Sequence, residues 1–119
     1  MPKVVIWHNP RCSKSRATLS LIEQHGLDPE IIEYLKTPPS ADDIKSVLKK
    51  LRMRPRDLMR KGEPVYKELA LDNDKLTDDQ LVKAMAENPI LIERPVVIFG
   101  QRAKLGRPPE DVLDLFTDM

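Results

Sequence analysis

One cysteine, Cys12, is the whole thiol content of this chain, so no internal disulfide can form. That absence points to a reducing cytoplasm and sets aside the disulfide-stapled secreted classes. Glycine is scarce as well, with 4 residues against 11 prolines. Such a ratio argues for fixed turns and helix starts over flexible linkers. No apolar run approaches the roughly 20 residues that a bilayer span needs. The N-terminus carries only the short apolar run Val4–Trp7 and no small-residue cleavage site, so it does not read as a secretory signal. Charge of one sign is also missing: 20 basic residues face 19 acidic ones, for a net charge of +1. This balance gives no reason to expect a nucleic acid or an anionic membrane as partner. Two histidines, His8 and His25, and one cysteine do not make a zinc site, so no metal is expected.

The chain does have a hydrophobic content of 40% in 119 residues, enough for the core of one compact domain. Lys3–Trp7 reads as a short buried strand, and Ser13–His25 as a helix stopped by Gly26. Glu30–Leu35 reads as a second strand. Helices are expected after Ser40, a plausible N-cap, and after the capping-box pattern Thr77-Asp78-Asp79-Gln80, with short helical pieces at Pro55–Arg60 and Val65–Ala70. Pro95–Phe99 and Arg102–Leu105 read as a hairpin around Gly100-Gln101. A last helix, entered through prolines, carries Val112, Leu113, Leu115 and Phe116. Strand, helix, strand, several helices, then hairpin and helix is an α/β order with a helical insertion.

Cys12 lies between the first strand and the first helix, in His8-Asn9-Pro10-Arg11-Cys12-Ser13-Lys14-Ser15-Arg16. An unperturbed cysteine is only a few per cent thiolate at neutral pH. A helix start contributes about 0.3–1 kcal/mol toward the thiolate, at most about 2, against the roughly 2.7 kcal/mol that a two-unit lowering requires. Neighbouring donors must add the rest. His8, at the end of the strand, is the best-placed candidate for a nearby imidazolium. A lone cysteine is otherwise most often a small buried hydrophobe, and the polar, cationic turn is what argues against that here. Position 15 is serine, where disulfide oxidoreductases commonly have the second cysteine of Cys-x-x-Cys. A hydroxyl can hydrogen-bond a thiolate but cannot resolve a disulfide, so any redox cycle on Cys12 needs an external thiol. Arg60, Arg94 and Arg107 are further candidates, because an arginine fork matches a tetrahedral oxyanion. Spacing alone does not bring them to Cys12.

The thiol motif, the later runs Glu93-Arg94-Pro95-Val96-Val97 and Gly106-Arg107-Pro108-Pro109-Glu110, and the segment from Leu76-Thr77-Asp78-Asp79-Gln80-Leu81 to Pro89-Ile90-Leu91-Ile92 together resemble the glutaredoxin-coupled arsenate reductase family. The resemblance runs from residue 4 to about residue 116. It implies a single domain over residues 1–119 with a three-layer, thioredoxin-like α/β fold. A mixed four-stranded sheet and a helical insertion at about 40–88 would complete it. Cys12 would be the nucleophile, tuned by His8 and Ser15. Arg60, Arg94 and Arg107 would hold the oxyanion, with Ser13, Lys14 and Arg16 in the cradle after the first strand, and Pro95 would follow a cis peptide bond. Arsenate would be the substrate and glutathione and glutaredoxin the reductants, with no bound cofactor and a monomeric chain. Regulatory relatives of this fold carry Cys-x-x-Cys, which Ser15 breaks. The competing readings are a thiol oxidoreductase acting on another substrate, such as a glutathione mixed disulfide, and a non-catalytic thioredoxin-like module that binds a protein.

Overall fold

The computed structural model describes residues 3–117. Chain contacts divide it into two compact units, one made of the residues up to Thr37 with those from Arg94 onward, the other of Pro38–Glu93. The stretch expected as an insertion at about 40–88 falls inside the second.

The first unit is built on a four-stranded sheet in the order β2-β1-β3-β4, from β1 (Val4–Trp7), β2 (Glu30–Ile32), β3 (Val96–Phe99) and β4 (Arg102–Leu105). β1 runs parallel to β2 and antiparallel to β3, pairing Val4 with Phe99 and Trp7 with Val96. β3 and β4 form the expected hairpin, and Gly100 at its turn has φ +63°, a left-handed conformation that glycine adopts without a Cβ penalty. The crossover from β1 to β2 is α1 (Ser13–Gln24), followed by Gly26 at φ +77°. Alternation along the strands puts Val4 and Ile6 of β1 and Val97 of β3 on one face. There they cluster with Ile22 of α1 and with Val112 and Leu115 of the C-terminal helix. Phe99 and Phe116 close the edge of this core ring-edge to ring-face, centroids 5.3 Å apart. Fully burying each such aliphatic side chain contributes roughly 1.5–3 kcal/mol.

Element bounds differ from the sequence expectation: the helical pieces expected at Pro55–Arg60 and Val65–Ala70 run Pro55–Leu58 and Pro64–Glu68. β2 ends at Ile32 rather than Leu35, because Glu33 opens a turn in which its carbonyl accepts the N–H groups of Lys36 and Thr37, each at 2.9 Å. The expected last helix is a 3₁₀ helix, Pro109–Phe116.

In the second unit, α2 (Ala41–Leu51) packs Ile44, Val47 and Leu48 inward, and α5 (Asp78–Glu87) does so with Leu81, Val82, Ala84 and Met85. Both starts are full capping boxes: Ser40 with Asp43, and Thr77 with Gln80. Between them lie α3 (Pro55–Leu58) and α4 (Pro64–Glu68), each opened by its proline. Arg56 donates to the Tyr66 hydroxyl at 3.0 Å and to the carbonyls of Leu71 and Asn73, fixing the turn after α4. Among the described residues no helix is long and apolar enough to cross a membrane.

Candidate active site

The sheet delivers His8 directly. Its N–H donates to the Ile32 carbonyl at 2.8 Å, one step beyond the β1–β2 pairing, and its side chain is buried at 6% exposure. Asn9 then shapes the loop. Its side-chain oxygen accepts the Arg11 N–H at 3.0 Å, a local Asx turn, and its carbonyl accepts the Cys12 N–H at 3.0 Å. Cys12 is the N-cap residue of α1, with an extended backbone (φ −96°, ψ 123°) and a partly exposed side chain. Its carbonyl takes the Arg16 N–H at 3.0 Å, the first bond of the helix. The N–H groups of Ser13, Lys14 and Ser15 have no carbonyl four residues back within α1, so they form a concentration of donors around the cysteine.

Ser15 faces the other way. It is fully buried, and its hydroxyl meets His8 Nδ1 at 2.7 Å while accepting the Asn9 N–H at 3.0 Å. Burial pushes the His8 imidazole below its ordinary value; Glu33 opposes this and Arg16 adds to it. Burial thus works against the imidazolium expected beside the thiol, while Nδ1 braces the loop through Ser15. Desolvation disfavours the charge, and the hydroxyl satisfies the nitrogen without one.

Arg94 places a positive charge next to Cys12. Burial alone would raise the thiol. The Ser15 N–H, a hydrogen bond and the charge from the Arg94 guanidinium, and the Lys14 N–H outweigh burial and hold Cys12 below the ordinary cysteine value. Arg94 immediately precedes Pro95 and β3, and the Arg94–Pro95 peptide is cis, as is Arg107–Pro108. Arg107 reaches back so that its guanidinium donates to the Arg94 carbonyl at 3.1 Å. The two arginine motifs, 13 residues apart, thus meet beside the start of α1. Arg94 Nε is buried and has no hydrogen-bond partner among the described residues. An unmet buried donor costs about 1–3 kcal/mol, more when charged, and is relieved by an acceptor such as an oxyanion.

The other expected residues are placed differently. Ser13, Lys14 and Arg16 are exposed on the first turn of α1, and Arg16 donates to the Pro10 carbonyl at 2.9 Å, tying down the loop. Arg60 belongs to the second unit. There it is held by Glu63 at 3.2 Å and Glu93 at 3.0 Å, so its charge is already matched. Among the described residues no group of three or more His, Cys, Asp or Glu is arranged to hold a metal ion. The Asx turn of Asn9 went unread in the sequence, although Asn followed by Pro is a turn signal. No local pattern shows that Arg107 reaches the Arg94 carbonyl.

Against known proteins, the ArsC family model matches residues 7–115. The chain belongs to the ArsC family. It is 48% identical to the uncharacterized protein YfgD of Escherichia coli over 95% of this chain and 96% of that protein. It is 47% identical to an arsenate reductase of Neisseria meningitidis serogroup A over 94% of this chain and 97% of that protein. Among solved structures, an arsenate reductase from Vibrio cholerae superposes with a TM-score of 0.94 at 50% identity, covering 96% of this chain and 98% of that one. The fold is the thioredoxin-like α/β fold of this family, with its mixed four-stranded sheet.

Proposed function

We propose that this ArsC-family chain is an arsenate reductase that draws its electrons from glutathione and glutaredoxin. The observation that carries the reading is the pairing of a nucleophile held below the ordinary cysteine value, Cys12, with a buried guanidinium N–H on Arg94 that lacks an acceptor among the described residues. A tetrahedral oxyanion supplies that acceptor and presents a centre for sulfur to attack. The names of the relatives at 47–50% identity support the same substrate.

In this reading the Cys12 thiolate attacks As(V), and one arsenate oxygen, protonated, leaves as water. Arg94, Arg107 and the N–H groups of Ser13 and Lys14 offset the repulsion between thiolate and anion and stabilise charge in the transition state. Glutathione attacks the adduct. Arsenic takes up two electrons and leaves as arsenite, and Cys12 and glutathione are left as a mixed disulfide. Because position 15 is serine and no other cysteine exists, glutaredoxin must resolve that disulfide from outside. Ser15 and His8 keep the loop in shape rather than exchanging protons with substrate. A monomer in a reducing cytoplasm meets these needs.

The test is turnover of arsenate with glutathione and glutaredoxin by the wild-type chain and by Cys12→Ser. The variant should fold and lose turnover entirely. Full activity without the thiol, or a wild-type chain that reduces a glutathione mixed disulfide but not arsenate, would overturn the reading.

A further inference from the structure

Both arginine motifs are held against α1 at one point, and that point has no room for a side chain. Gly106 follows β4, and its N–H donates to the Pro95 carbonyl at 3.0 Å. A Cβ at this position would lie 2.7 Å from Pro95 Cγ, 3.1 Å from Thr18 Cγ2 and closer still to Thr18 Oγ1. Ordinary carbon contacts fall at about 3.5–4.0 Å, so relief requires a displacement on the order of 1 Å. Neither neighbour has slack. Thr18 is fully buried in α1, is β-branched, and donates its hydroxyl to the Lys14 carbonyl at 2.7 Å. Pro95 is buried, and its own carbonyl is the one that Gly106 occupies. The displacement therefore falls on the backbone at 106 or at 95.

Those two backbones carry the guanidinium groups. Arg107 is the residue after Gly106, Arg94 is the residue before Pro95, and the two are joined by the Arg107-to-Arg94 carbonyl bond at 3.1 Å. Lys14, which Thr18 grips, lies two residues after Cys12 and supplies an N–H to its thiolate. One node of three residues on three segments thus fixes the distance between nucleophile and oxyanion donors. We propose that Gly106 and Thr18 are positioning residues of the active site, setting Arg94 and Arg107 on Cys12. They act through Pro95 and the Arg107 backbone and do not touch substrate. That the anion so positioned is arsenate rests on the function proposed above.

Gly106→Ala tests this, read by three measurements. Thermal melting reports whether the chain is folded. The rate of Cys12 alkylation against pH reports the thiol, cleanly, because no second cysteine reacts. Arsenate kinetics report the oxyanion site. A misplacement of about 1 Å costs on the order of 100-fold in catalysis. Gly106→Ala should lose about that much kcat/KM, with KM raised, and its alkylation curve should move to higher pH as Arg94 draws away from sulfur. Adding Thr18→Ala removes the hydroxyl and the methyl that crowd position 106, so the double variant should recover part of both. A glycine needed only for packing would lower the melting temperature and leave the alkylation curve unmoved; that result overturns the proposal. Should Gly106→Ala fail to fold, Thr18→Ala alone decides. Loosening the node should raise the arsenate KM several-fold and move the curve upward, and wild-type values for both refute it. Alkylation needs no substrate, so absent arsenate turnover in the wild-type chain overturns the functional reading without touching this one.

Discussion

Replacing Arg94 with methionine separates what this residue does for chemistry from what it does for the fold. Arg94→Met keeps an unbranched apolar stem of similar reach and removes the guanidinium. The sulfur loses a hydrogen bond and a neighbouring positive charge, both of which favour the thiolate. The alkylation curve of Cys12 should therefore move to higher pH, giving slower labelling at pH 7 and equal labelling well above the ordinary cysteine range, where wild type and variant are both thiolate. The oxyanion loses a donor, and loss of one such donor typically costs about 10²–10³ in kcat, about 2.7–4 kcal/mol. The fold, by contrast, is freed of a buried Nε that has no partner among the described residues, a defect costing about 1–3 kcal/mol. Loss of the contact to sulfur works in the other direction. At about 4 °C per kcal/mol for a chain of this size, the melting temperature should hold within a few degrees or rise. The assays are alkylation against pH, steady-state arsenate reduction, and thermal melting on the same preparations. Turnover within about threefold of wild type, with an unmoved alkylation curve, would refute the assignment of Arg94 to the site. A fall of about ten degrees or more would show the guanidinium to be a strut of the fold.

Other outcomes depend on single contacts. Ser15→Ala leaves the buried His8 nitrogen and the Asn9 N–H without their shared oxygen, so it should destabilise the chain by about 1–3 kcal/mol in urea titration. His8 is held below its ordinary value chiefly by burial, so between about pH 6.5 and its lower folded value the unfolded chain binds more protons. Its contribution to stability should accordingly be full above about pH 6.5 and decline as the pH falls, and urea midpoints of His8→Gln should show a shallower decline. Thr77→Ala removes a capping box in the second unit and should cost about 1 kcal/mol, with alkylation of Cys12 unchanged.

The fold was legible where local chemistry sets structure by itself. The Ser40 N-cap, the Thr77 capping box, the glycine after α1 and the Gly100 turn all act within a few residues, and each appears where the sequence places it. Leu35 has the apolar character of a strand residue, but the Glu33 turn ends β2 first. The candidate site divides in the same way. The setting of Cys12 at a helix start is local and could be read. The charge beside it comes from Arg94, 82 positions along the chain, and the sequence offered His8 only because it is near. Burial, invisible in a string of letters, works against a positive charge on that histidine. The ion pairs of Arg60 with Glu63 and Glu93, the second 33 positions away, are likewise set by the fold and not by local pattern.

The margins of the sheet bear on how the molecule meets other copies of itself. Its outer strands are short, three residues in β2 and four in β4. A half-exposed Ile31 sits on the first, the sort of side chain that invites another molecule to pair. So few backbone groups make a poor template for a foreign strand, and charge guards both margins: Lys3 pairs with Glu30 on one, while Arg102 and Lys104 engage Asp114 on the other. Short, charged margins of this kind discourage edge-to-edge aggregation.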